Sequence, residues 1–139
     1  TCGMGLAVSG AFDETIPSTS AIACATQLSS VEGVEAGFLT TSGEAIHHVD
    51  LRVDAVKKDE TGSGFAAEID VAHTDQRGWT ATGCSVDVLS HAYRESDELF
   101  DYHRIAGTGV CPAPATSTSG APELSIDGFA FVCTVPWTK

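Results

Sequence analysis

Apolar and polar residues alternate with a period of two along most of the chain, the repeat that puts successive side chains on opposite faces of a β-strand. Met4, Leu6, Val8, Gly10 and Phe12 alternate with small or polar residues. Val49, Leu51, Val53 and Ala55 alternate with His48, Asp50, Arg52 and Asp54, which predicts a half-buried strand with its charges on one side. Phe65, Ala67, Ile69, Val71 and His73 share a parity against Glu68 and Asp70, and the turn-rich link from Lys57 to Gly64 joins the two runs as a hairpin. A second turn, Thr74 to Gly78, leads into a strand from about Trp79 to Ser90, with Cys84, Val86 and Val88 facing one way and Ser85 and Asp87 the other.

Weaker strand signals fall at Ala21 to Leu28, Val34 to Thr41 and Phe100 to Thr108, and the last strand, Leu124 to Trp137, carries Phe129, Phe131, Cys133 and Val135 on one parity. Arg94 to Phe100 has no second apolar turn and reads as a loop, since an isolated helix that short does not hold in water. Pro112 to Pro122 reads as a loop as well, because its prolines supply no ladder donors and the remainder has nothing to bury. About eight short strands with Gly-rich turns and no helix predict an all-β fold, an antiparallel β-sandwich that occupies residues 1–139 as a single domain.

Composition narrows the function classes. The chain has 139 residues, 42% of them hydrophobic, which is enough for one core and too much for a disordered chain. Its uncharged runs are broken before the roughly 20 apolar residues that a transmembrane helix needs. A formal net charge of −12 opposes a grip on phosphate backbones, so nucleic acid is excluded as a partner. Asn is absent, which excludes N-glycosylation.

Five cysteines, Cys2, Cys24, Cys84, Cys111 and Cys133, lie far apart, with no C-x-x-C pair and no His at a zinc-ligand spacing from any of them. They read as disulfide partners in an oxidising compartment, which predicts a secreted or cell-surface protein. The start without Met fits processing on export. Cys24, Cys84, Cys111 and Cys133 are the disulfide candidates; Cys111 with Cys133 would close the proline-rich loop onto the last strand, while the sequence does not choose among the pairings. Cys24 and Cys84, 60 residues apart, resemble in spacing the inter-sheet bridge of immunoglobulin domains, with Phe38 where those place a Trp and Thr82 where they place a Tyr. The odd cysteine is then Cys2, a candidate for an intermolecular link or a lipid anchor: its Cys-Gly start resembles a bacterial lipoprotein end, with Thr1 as the departure.

The sequence offers little catalytic chemistry. His47-His48 and Asp101-Tyr102-His103 carry imidazole and carboxylate ligands, yet neighbours on a strand point to opposite faces, so His47 and His48 do not share one ion without a bulge and no metal site or cofactor is expected. Asp13-Glu14, Asp59-Glu60 and Asp97-Glu98 lack the calcium-loop pattern. There is no G-x-S-x-G elbow, and Glu95, Asp97, Glu98 and Asp101 read as a solvated loop with too few aromatics nearby to draw a glycosidase cleft. No enzyme is expected. The N-terminal run Met4, Leu6, Val8 and Phe12 is the candidate assembly strand, adding to the edge of a neighbouring subunit with Cys2 to lock the joint. The expectation is therefore a self-assembling structural subunit of a fibre, pilus-like filament or adhesive surface layer. The alternative is a monomeric secreted or lipid-anchored binding module that recognises a sugar or another cell-surface protein.

Overall fold

A computed structural model describes residues 2–16, 21–29, 33–42, 45–73 and 77–139. Among them every regular element is a strand: β1 (Gly3–Gly10), β2 (Glu14–Ile16), β3 (Ala21–Ser29), β4 (Gly33–Ser42), β5 (Ala45–Val53), β6 (Gly62–His73), β7 (Gly78–Ser96), β8 (Phe100–Val110), β9 (Thr116–Ser117) and β10 (Leu124–Thr138). They form one antiparallel sheet in the order β2-β1-β10-β8-β7-β6-β5-β4-β3, with β9 paired to β7. The sheet curls into a half-barrel, which brings β3, at one end of that order, against β10. The all-β, antiparallel, disulfide-stabilised architecture expected from the period-two pattern is thus present, and the two limbs of one curled sheet enclose the core between them. Among the described residues no helix is long and apolar enough to cross a membrane.

One face of each strand supplies the core. Phe38, Val49, Val71 and Trp79 follow one another across β4 to β7 in register and are all buried, while Asp50 and Asp70, one residue along, pair on the outer face. The parity of Phe129 and Phe131 is as the sequence predicts, and both lie opposite glycines of β8, Gly109 and Gly107. A Cβ on Gly109 would fall inside the Phe129 ring, so the glycines are the space into which the rings pack.

Three expected boundaries shift. Ala55 leaves the alternation of β5 because it sits in a turn with φ 62° and is exposed. β7 runs six residues past Ser90, taking in part of the segment read as a loop; the reversal is confined to residues 97–99, where Asp97 Oδ1 accepts from the backbone N–H groups of Leu99 and Phe100 at 2.8 Å each. The proline-rich connection buries more than its composition suggests. Ala115 is fully buried and bridges Leu124, Thr116 and Ser117 pair with β7, and Trp79 Nε1 donates to the Pro122 carbonyl at 2.8 Å. An indole N–H inside a core needs an acceptor, and the loop provides it. The turn expected over Thr74 to Gly78 lies, for residues 74–76, outside the described residues.

The disulfides are Cys2–Cys24 and Cys84–Cys111, and Cys133 is free and buried. This corrects the expected roles: Cys24 joins Cys2 and not Cys84, Cys111 joins Cys84 and not Cys133, and the odd cysteine is Cys133. The curl decides it. Cys2, beside the start of β1, reaches β3 across the opening of the half-barrel, with Cα atoms 6.4 Å apart, whereas Cys133 points into the core from the middle of β10 opposite Ile105. The Cys2 sulfur is consumed within the chain, which removes the inter-chain link and the lipid anchor expected of it.

β1 is likewise an internal strand. It pairs with β10 along its full length, from Gly3 opposite Val132 to Gly10 opposite Leu124, and with β2 from Leu6 to Val8. Met4, Leu6 and Val8 face the core, and Phe12 lies beyond the strand, against His47. The expected assembly strand is therefore already spent within its own sheet, because the alternation that marks a donor strand also marks an ordinary core strand.

Candidate functional site: two histidine–carboxylate clusters

Four of the five histidines meet in two clusters, one at each end of the half-barrel. The first joins the end of β6 to the start of β5. His47 and His73 are direct cross-strand partners with ring centroids 4.8 Å apart, and Glu14 Oε2 of β2 stands 3.4 Å from His47 Nε2. Phe12 stacks on His47 at 5.4 Å and meets Trp79 at 5.4 Å, while the Arg77 guanidinium lies over both the Phe12 and Trp79 rings. His47 is fully buried.

The second cluster lies where β7 outruns β6. The β6 pairing ends at Val88, and the β5–β6 connection folds against the exposed stretch of β7 beyond it. That connection is a turn in which Glu60 N donates to the Lys57 carbonyl at 3.1 Å and Lys57 N donates to Glu60 Oε1 at 3.0 Å. Asp59 holds φ 64° there, in the left-handed region that Asp tolerates better than most residues. The turn grips His91 at both ring nitrogens: Asp59 N–H donates to Nε2 at 3.3 Å, and Nδ1 donates to the Glu60 carbonyl at 2.9 Å. A carbonyl only accepts, so the proton of His91 is on Nδ1 and the Nε2 lone pair points into the cluster.

His103, on β8, completes the group. Its Nδ1 lies 3.1 Å from His91 Nε2 and 3.5 Å from Asp59 Oδ1, and the ring is 1% exposed beside Trp137, Tyr93 and His91. Burial first, and then the neighbouring His91, lower the pKa of His103 below the ordinary imidazole range and keep it neutral. The mouth of the site is polar. Lys58 Nζ donates to Asp101 Oδ2 at 2.7 Å, Ser96 Oγ donates to Asp101 Oδ1 at 2.6 Å, and Tyr102 donates to Asp97 Oδ2 at 2.6 Å. The hydrogen bond from Lys58, followed by that from Ser96, holds the Asp101 carboxyl below its usual range.

Among the described residues, Glu14, His47 and His73 form one set of nitrogen and oxygen donors within 4.8 Å of one another, and Asp59, His91 and His103 form another. Each is a two-imidazole, one-carboxylate set suited to a divalent transition metal ion. The sequence reading had His47 and His48 on opposite faces, and they are: His47 is buried and His48 is exposed, 3.2 Å from Asp50. Of Asp101-Tyr102-His103 only His103 enters a cluster. His73, His91 and Asp59 were missed because their partners are 26, 12 and 44 residues away; the one signal available was the shared strand parity of His73 with Val71 and Ile69.

A separate groove of about 680 Å³ runs over the outer face of β4 to β6, where Glu35, Asp50, Glu68 and Asp70 outnumber Arg52 and His48. Arg52 is spoken for by Glu68 at 2.7 Å and Asp54 at 3.5 Å, so the groove is acidic. No family model, curated protein or solved structure matches the chain.

Proposed function

We propose that the protein is an exported, non-enzymatic binding domain that recognises another protein at the cell surface through the acidic groove over β4 to β6. Two disulfides in an all-β scaffold are compatible with an extracellular location; one ties the start of β1 to β3 and the other ties β7 to the end of its neighbour β8. The observation that carries the reading is the charge of the groove: four carboxylates line it against an Arg already paired to two acids, in a chain of net charge −12. The partner that complements it is a Lys/Arg-bearing segment, drawn in by long-range attraction that salt screens. Binding of a Lys/Arg-rich peptide, measured by calorimetry at low and physiological salt, tests this. Affinity that weakens with salt and with D50N/D70N supports the reading, and absence of binding at low salt refutes it.

The structural-subunit reading keeps one specific support. Leu89, Tyr93 and Leu99 are exposed on the β7–β8 hairpin, an apolar surface for contact with a second copy. Sedimentation separates the two readings: a concentration-independent 14.4 kDa monomer favours the binding module, and a growing series of oligomers that L89S/L99S abolishes favours assembly.

A further inference from the structure

We propose that Asp59, His91 and His103 form a binding site for a divalent transition metal ion of the zinc class, a site that clips the β5–β6 turn to the β7–β8 extension. Donor spacing is the first argument. Ligands about 2.0–2.1 Å from a tetrahedral ion stand roughly 3.3 Å from one another. The observed separations, 3.1 Å from His91 Nε2 to His103 Nδ1 and 3.5 Å from His103 Nδ1 to Asp59 Oδ1, bracket that edge.

The protonation pattern is the second. Metal-ligating histidines characteristically donate their other ring N–H to a carbonyl or carboxylate, which fixes the tautomer and the ring. His91 does this with the Glu60 carbonyl at 2.9 Å, so its Nε2 carries the lone pair, which faces His103 Nδ1 at 3.1 Å and which an ion takes over from the Asp59 N–H at 3.3 Å. The third is His103. Its ring is buried and its polar contacts run from Nδ1 into the cluster, where Nδ1 donates to His91 Nε2 in the ion-free chain, so an ion bound there displaces that proton to Nε2 or to solvent. A dication there takes the place of the single proton that lies between two facing imidazoles.

The remaining coordination position opens to water. The Asp59 side chain is 69% exposed, and Lys58, next to it in the turn, is paired with Asp101. Three protein ligands with an open fourth position define a site that takes a water or a partner's side chain. The Glu14, His47 and His73 set is less suited to a dication, because the Arg77 guanidinium lies over the Phe12 ring that stacks on His47. Its residues serve as the control.

Zn²⁺ added to the purified full chain is the test, read by calorimetry and by the ¹⁵N shifts of the histidine rings. The expected result is saturable binding that moves the Nε2 resonance of His91 and the Nδ1 resonance of His103. D59A, at the exposed rim, and H91Q, at the half-buried ring, weaken it at least about tenfold, and E14Q leaves it unchanged. An excess of about a hundredfold over Kd also raises Tm by several degrees in the parent chain and not in H91Q. Absence of binding, or binding that D59A and H91Q leave intact, overturns the proposal.

Discussion

Cys2 is bonded to Cys24, and this link ties the start of β1 to β3, two strands that do not pair in the sheet. Together with the hydrogen bond from Thr26 to the Thr134 carbonyl, it holds β3 against β10 and keeps the half-barrel curled around its core. The bridged residues are 22 apart in sequence, so in the chain-entropy picture the crosslink contributes about 3 kcal/mol. The double variant C2A/C24A is expected to unfold at correspondingly lower urea. An unchanged midpoint would show that β3 docks without the bridge.

Cys133 supplies a second expectation. Its side chain is fully buried and burial pushes its thiol up to about 12, so it stays protonated and out of reach through the neutral range. A thiol reagent at pH 8 should find no reactive sulfur in the native chain and one after denaturation without reductant. Non-reducing electrophoresis should accordingly show monomer. Two or more thiols on denaturation would contradict the assigned bridges.

Gly107 and Gly128 both lie in β strands at negative φ, yet they differ in what surrounds them. A Cβ at Gly107 meets the Asp87 carbonyl oxygen at 2.3 Å and the Phe131 ring at 3.1 Å, whereas at Gly128 the nearest atom is the Gly109 carbonyl at 3.8 Å. G107A is expected to cost about 1–3 kcal/mol by overpacking, and G128A to stay within about 0.5 kcal/mol of the parent. Chemical denaturation of the pair decides, and equal effects would mean that the Asp87 carbonyl and the Phe131 ring do not close over Gly107.

The tip of the β7–β8 hairpin should be sensitive to acid. The Tyr102 hydroxyl first, and then the Leu99 and Phe100 N–H groups, lower the pKa of Asp97 below its ordinary value of 3.8. A carboxyl depressed in the folded state stabilises it above the unfolded pKa and loses that contribution as pH falls through the lower, folded value. The protection of the Leu99 and Phe100 amides, taken relative to their intrinsic exchange rates, is therefore expected to be steady from neutral pH down to about 4 and to fall below it while the core strands keep theirs. D97N, which keeps the size and loses the charge, should show weaker protection at neutral pH and converge with the parent once Asp97 is protonated.

Much of this architecture is legible along the chain and some of it is not. The parity of Val49, Leu51 and Val53, or of Phe129, Phe131, Cys133 and Val135, assigns those side chains to one face, since a strand has only two. Ala115 was not legible, because its burial depends on Trp79 and Leu124, distant in sequence and brought over it by pairing. The disulfide partners were hidden for the same reason: five cysteines state that bridges exist, while the choice of Cys2 for Cys24 requires β1 and β3 to be neighbours across a curl that no local pattern encodes.

The histidine clusters mark the division most sharply. Period two alone placed His47 and His48 on opposite faces, and hydropathy with cysteine count alone led to an all-β, disulfide-bonded chain, because both are local or additive properties of the residues. Tertiary structure decided that His103 meets His91 and Asp59, that Cys133 is the buried thiol, and that β1 is committed to its own sheet. Those are facts of register and curvature, which arise only when strands far apart in sequence bury a common face.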